Sequence, residues 1–455
     1  MILIIYVFLL LLAVYFYTHY NRSWITLVIY IFFITNAFLI NIFKQDIVKP
    51  EDFALILVVL LSIGGFSRNR NFFSIKNDFI AKLLIIWMTF YFLEFCITVI
   101  TNAETFSFSL KVVRKEFLLL SYFIFRRLKY QSLIKSMQAV FIITFIVNVF
   151  YIIQFFTSYP ILSSEMDFSS GIGNYSRMRS VPAFTSTFLL YCLISKKRFK
   201  LKIPFILISI IVLSMSMNRT PIFSLGFVVV IFFALKRDIK KIIITSIIGI
   251  LLFPIISLFI SARSEGNSSS LNDIYSAISI KSANDYSSDL GTFAFRIAML
   301  IEKTEYLINN PQNLLTGVGS LHEDSKIRKK FNFQITPYKA DKSGEYSVAQ
   351  EIDTGDIMWT PIIFRYGLIG FLLYIILIYK SLSIFYKNRN KQEVLMLAFL
   401  FFILTIVSSF SSASLSNIVE MCKVVIFYLF FNITKSTQIK TMVTNLNSHK
   451  VLIRR

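Results

Sequence analysis

Long apolar stretches separated by short polar connectors run through most of this chain. A membrane-crossing helix needs about 20 mostly apolar residues, with about 17 to 25 tolerated. That criterion predicts helices near residues 2–18, 24–43, 53–67, 79–100, 116–126, 136–158, 183–195, 203–217, 221–235, 242–260, 358–379, 394–412 and 417–433. Four of these stretches (53–67, 116–126, 183–195 and 221–235) are short and borrow flanking residues, so the expected count is about 12–14. MILIIYVFLLLLAVYFYTHY shows no small-residue cleavage site before the second apolar stretch, so the first helix is expected to stay. Composition agrees: 56% of the residues are hydrophobic, 49 are Phe, and 16% are charged. The expected class is an all-α polytopic membrane protein.

The net charge of +22 could point to nucleic acid, but the placement of the charge argues against it. Lys and Arg gather in RRLKYQSLIK (126–135), KKRFKLK (196–202), KRDIKK (236–241), YKNRNK (386–391) and the tail from Lys435 to Arg455. Basic short connectors face the cytoplasm. The chain then divides into N-terminal helices (1–135), central helices (136–260) with an outer loop at 157–182, a large outer loop (261–357), C-terminal helices (358–433) and a basic cytoplasmic tail (434–455). Residues 261–356 hold 13 Asp and Glu against 10 Lys and Arg, over half of the chain's 25 acids, so this loop reads as a soluble extracytoplasmic subdomain. Long loops of this kind are disordered or functional, and function is favoured here. Within it, TFAFRIAMLIEKTEYLINNP (292–311) predicts a helix with Phe293, Ile297, Leu300, Ile301 and Leu307 on or near one face and Glu302, Lys303 and Glu305 mostly off it. Pro311 ends that helix, and LLTGVGS (314–320) is a glycine-punctuated turn. Lys111, Arg114 and Lys115 fit an interfacial helix or a solvated loop equally well.

Charges inside or beside the apolar stretches are the first functional suspects in a membrane protein. Arg219 stands in LSMSMNRTPIFSLGF with no acid near it in sequence, and the connector pattern makes it an outer turn between two spans. Arg177, Arg179, Arg263 and Arg296 belong to the same side. Guanidinium binds phosphate through paired hydrogen bonds, although each Arg alone could also snorkel to lipid headgroups. Asp353 and Asp356 lie just outside the eleventh stretch, where a carboxylate could accept a proton from a hydroxyl or Asp356 could cap a helix. Glu94 and Arg365 are further candidates, and Glu420 and Lys423, three apart on one helix, are expected to pair. Cys96, Cys192 and Cys422 sit in apolar stretches as packing residues. No phosphate-binding loop, hydrolase elbow or metal signature is present, and no repeat.

Five features together resemble the O-antigen polymerase and O-antigen ligase superfamily of bacterial envelope glycan assembly. Arg177 and Arg179 lead into VPAFTSTFLLYCLIS; SMSMNRTPIFSL is similar to the family's Ser-Arg-small turn; FRIAMLIEKTEYLINNPQNLLTGVGS resembles its Arg, amphipathic helix and Gly-x-Gly run; the large outer loop follows; and DIMWTPIIFRYGLIGFLLY resembles the element that re-enters the membrane. The likeness covers residues 136–435. Ligase-like members carry His where this chain has Asp356, which favours a polymerase over a ligase.

The resemblance implies a glycosyltransferase C-like fold and a metal-independent glycosyltransferase with no cofactor, in the bacterial cytoplasmic membrane with its active site facing outward. It would join undecaprenyl-pyrophosphate-linked oligosaccharide repeat units into O-antigen, capsule or exopolysaccharide. It assigns Arg179, Arg219 and Arg296 to the pyrophosphate, with Arg177 and Arg263 in support, and Asp356 over Asp353 as base. Implied partners are membrane lipid, a chain-length regulator and a flippase, with no nucleic acid. The rival from another class is a lipid-linked oligosaccharide flippase, which should show paired halves and broken helices at mid-depth.

Overall fold

The computed structural model describes residues 2–322 apart from 20–21, 44–48, 77, 102, 164–165, 173–174, 179–180, 198, 217–218, 238, 241–274, 276, 288–289 and 291, together with 338–340, 346–348, 358–410, 412 and 417–434. It is a helical bundle. The helices are α1 (Ile2–Thr18), α2 (Ser23–Ile34), α3 (Pro50–Arg68), α4 (Phe79–Ile100), α5 (Phe106–Val113), α6 (Ser121–Phe125), α7 (Tyr130–Thr157), α8 (Thr185–Ile194), α9 (Lys202–Met215), α10 (Arg219–Leu235), α11 (Thr292–Asn309), α12 (Pro311–Leu314), α13 (Trp359–Asn388), α14 (Glu393–Ser408) and α15 (418–434). α3, α4, α7 and α13 are each long and apolar enough to cross a membrane. The expected span at 242–260 lies outside the described residues. Among the described residues there are also two short antiparallel strand pairs, Met166–Ile172 with Tyr175–Met178 and Tyr338–Ala340 with Tyr346–Val348.

Local chemistry explains the helix limits. Pro50 opens α3 with Glu51 and Asp52 in its first turn, where the helix dipole favours acids. Asp78 caps α4 by accepting from the Ala81 N–H at 3.0 Å. The same carboxylate accepts from the Tyr122 hydroxyl at 2.9 Å and the Arg126 guanidinium at 3.3 Å.

Two apolar stretches depart from the expected helices. Residues 24–43 stay helical only to Ile34, because residues 36–39 turn left-handed. The stretch at 116–126 is a 3-10 helix, Arg114–Leu120, followed by the short α6. Arg114 is paired with Asp52 at 2.6 Å and Glu116 takes the Trp87 indole N–H at 3.2 Å. A 3-10 segment rises about 2.0 Å per residue, so residues 114–125 extend about 21 Å where an α-helix would extend about 18 Å.

Contacts between distant connectors sort them to two ends of the bundle. At one end Arg126 bonds the carbonyls of Phe72 and Ser74, Ser136 bonds the Trp24 carbonyl, and Glu393 accepts from the Lys196 N–H. At the other, Tyr6 bonds the Phe43 carbonyl, Asn41 N–H bonds the Ile161 carbonyl at 2.8 Å, Arg114 meets Asp52, and Met358 N–H bonds the Ser409 carbonyl at 3.2 Å. The first is the basic end and the second carries the long loops. The alternation that charge showed from residue 126 onward therefore extends back to α1.

Most of the described interior is one apolar cluster from Tyr6 to Phe430, and two smaller clusters form around α11, one with Ala294, Ala298 and Met299 and one with Leu307, Leu321 and Phe364. Cys192 and Cys422 are buried in the first of these, and all three cysteines are free thiols. Glu420 and Lys423 pair at 2.6 Å, with Lys423 over the Phe184 and Phe401 rings.

Candidate functional site

At the loop end, the turn after α11 is stitched to a break in α13. Gly367 has φ +57° and interrupts the helix. In an unbroken helix the Ile369 N–H would reach the Arg365 carbonyl; here it donates to the Leu315 carbonyl at 3.1 Å. The Arg365 carbonyl accepts instead from Gly319 N–H at 3.0 Å, and the Phe364 carbonyl from Val318 N–H at 3.0 Å. Three backbone groups freed at the break thus find partners in the turn, as buried backbone requires. The approach is close enough to demand glycine. A Cβ on Gly317 would lie 2.3 Å from the Arg365 carbonyl oxygen, and one on Gly367 would lie 2.5 Å from the Gly317 nitrogen.

This clasp carries charge into the interior. Arg365 is 5% exposed and its Nε donates to the Leu321 carbonyl at 3.1 Å. Lys303 of α11 is fully buried, with Nζ 3.4 Å from Glu302 Oε2 and 5.9 Å from the Phe364 ring centroid. Arg296 lies two turns earlier on the same face of α11, half-buried, with its Nε enclosed. Burial pushes the Tyr306 hydroxyl's pKa up, and the Asn313 side chain pulls it partway back.

The third wall is α4. Thr98 Oγ1 donates to the Glu94 carbonyl at 2.7 Å and accepts the Ser320 N–H at 3.0 Å. Glu94 is 4% exposed on the same face. His322 stacks on Phe108 at 5.4 Å, which joins α5 to the turn. No protein-family model matches this chain, and no curated protein matches it.

Of the residues singled out in the sequence, Arg296, Arg365 and Glu94 are brought to this site with described side chains. Arg219 is the first residue of α10 at the loop end, beside the short connector from α9, where the charge pattern of the connectors placed it. Arg177 lies in the first hairpin, opposite Asp167 in register. Arg179, Arg263, Asp353 and Asp356 lie outside the described residues.

The face of α11 differs from the expected one. Phe293, Ile297, Leu300 and Ile301 are only half-buried, whereas Ala294, Ala298, Met299, Glu302, Lys303 and Leu307 are buried. Two four-residue ladders, Ala294–Ala298–Glu302 and Met299–Lys303–Leu307, carried that signal, but the rule that charges face water hid it. Among the described residues, no group of three or more His, Cys, Asp and Glu is gathered to hold a metal.

Proposed function

We propose that this chain is an oligosaccharide repeat-unit polymerase, a metal-independent glycosyltransferase of the outer face of the bacterial cytoplasmic membrane. A hydroxyl of one lipid-linked glycan attacks the anomeric carbon of another. The bond from that carbon to the phosphate oxygen breaks, and undecaprenyl pyrophosphate leaves with the electron pair. The leaving group supplies the driving force, so the protein's task is to hold two substrates and stabilise the pyrophosphate charge.

One observation carries this reading: the glycine clasp holds Arg365 and Lys303 in the interior, at the end of the bundle that bears the long loops. Buried cations held in place, Arg365 by the Leu321 carbonyl and Lys303 by Glu302 and the Phe364 ring, suit the charge that develops on a departing pyrophosphate. Arg296 extends the same face, and Arg179 and Arg219, with Arg177 and Arg263 behind them, are the further cations assigned to the donor. Asp356, ahead of Asp353, is assigned to the acceptor hydroxyl. The basic connectors at the opposite end support an outward-facing clasp.

The test is reconstitution of the purified protein in vesicles with lipid-linked repeat units alone. Chain elongation without nucleotide sugar or added metal is the expected result. Translocation of the lipid-linked unit without elongation identifies a flippase and ends the polymerase reading. Transfer of glycan only to a separate lipid acceptor identifies a ligase.

A further inference from the structure

The buried face of α4 is apolar and aromatic through Leu84, Trp87 and Tyr91, and then continues with Glu94 and Thr98. Among the described residues, nothing donates to the Glu94 carboxyl: beyond the helix's own backbone bonds, its contact is the Thr98 hydroxyl on its backbone carbonyl. The other buried acids differ. Glu104 accepts from Thr105 N–H at 2.8 Å, Glu116 from the Trp87 indole, and Glu302 from Lys303.

Glu94 has company in this. Three further buried polar atoms lack a hydrogen-bond partner where α4, α5 and the glycine turn meet: Glu104 Oε2, Ser109 Oγ and Ser320 Oγ. Ser320 is tied by its own N–H to Thr98, and Ala103, beside Glu104, donates to the Thr98 carbonyl at 3.1 Å. Buried polar atoms in native folds find partners, so a cluster of bare ones marks a place built for something else. Two carboxyl groups and two hydroxyls, beside the stacked rings of Phe108 and His322, match a neutral polyol with an apolar face. A sugar has that chemistry.

We propose that this seam is the acceptor-sugar subsite and that Glu94 is the catalytic base for the attacking hydroxyl. The inference rests on the glycosyl-transfer reading of the clasp. The acceptor O–H gives its proton to a Glu94 oxygen while the new C–O bond forms and the donor's C–O bond to phosphate breaks. The proton then passes to water or to the departing pyrophosphate, and no oxidant or metal enters the balance. Glu94 takes this role in place of Asp356 and Asp353, which lie outside the described residues, and ahead of Glu104 because one Glu104 oxygen is already held by the Thr105 N–H. Glu104, Ser109 and Ser320 bind the sugar's other hydroxyls.

Glu94→Gln keeps the side chain's shape and removes its basicity. In vesicles with lipid-linked repeat units, E94Q is expected to elongate roughly 10²–10⁴-fold more slowly than wild type, the usual contribution of a positioned base, at unchanged melting temperature in detergent. Glu94→Asp is expected to retain measurable elongation, and Glu104→Gln to raise the acceptor KM more than it lowers kcat. E94Q elongating at the wild-type rate overturns the role of Glu94 alone; a wild type that does not elongate overturns the polymerase reading. A second measurement is independent of turnover. Dicyclohexylcarbodiimide, which labels carboxyl groups in apolar surroundings, is expected to tag Glu94, and lipid-linked repeat unit to protect it. Tagging that the repeat unit leaves unchanged overturns the subsite.

Discussion

The backbone turns left-handed in two clusters at the loop end, and they are built differently. Residues 36–39, Asn-Ala-Phe-Leu, all have φ between +51° and +66° without a glycine among them. The clasp uses Gly317, Gly319 and Gly367. An L-residue in this region carries strain of roughly 1–2 kcal/mol. At 36–39 the side chains are needed: Ala37 and Phe38 are buried, and the turn is strapped by the Ile40–Leu162 bridge and by Asn41 to the Ile161 and Pro160 carbonyls. At the clasp the space a Cβ would occupy is already taken, by backbone at Gly317 and Gly367 and by the Thr98 side chain at Gly319. The first cluster trades strain for packing in a structural strap, whereas the second gives up side chains so that two segments can touch at the site.

That contrast can be broken most severely at the clasp. Gly317→Ala or Gly367→Ala meets both left-handed φ and backbone at 2.3–2.5 Å, and each is expected to cost at least about 3 kcal/mol and to abolish elongation, read by detergent melting and chain-length gels. Lys303→Met leaves the Glu302 carboxylate buried without its cation and is expected to cost about 3 kcal/mol; adding Glu302→Gln should recover part of the stability but none of the activity.

Changes at the strap should affect stability alone. Gln154→Leu removes the side-chain oxygen that accepts the buried Leu162 N–H, an expected loss of about 2 kcal/mol with elongation per folded molecule retained. Asn36→Gly, at an exposed position that already tolerates the conformation, should shift stability by less than about 0.5 kcal/mol.

Much of the fold was readable because its signals are local. Apolar runs marked the helices, basic connectors marked one end, Pro311 ended α11, and the spacing of Glu420 and Lys423 announced their pairing. The missing pieces depend on contacts distant in sequence. Gly367 in FRYGLIG is compatible with a continuous membrane helix, and only the turn at 315–319 makes a break there stable. The burial of Lys303 depends on Phe364, which is far along the chain. The first hairpin had a local signal that went unread, Gly173–Asn174 between Met166–Ile172 and Tyr175–Met178. Arg365 and Glu94 were visible as charges in apolar surroundings, but the Thr98–Ser320 contact that packs α4 against the glycine turn was not.

The shortness of α8 bears on what the bundle must shield from lipid. Its 10 residues rise about 15 Å, half of a hydrocarbon core about 30 Å thick. Its far end is held at the basic end, where Lys202 bonds the Ser195 carbonyl and Lys196 N–H meets Glu393. Its first residue, Thr185, therefore lies near mid-depth, hydrogen-bonded to Asn148 at 2.7 Å, and the non-helical backbone at 181–184 just before it must be solvated by protein or water. Pro182 and Phe184 are buried and Val181 and Ala183 half-buried, so the bundle itself covers most of this backbone, and a short helix is tolerated here because protein stands where lipid would otherwise meet bare main chain.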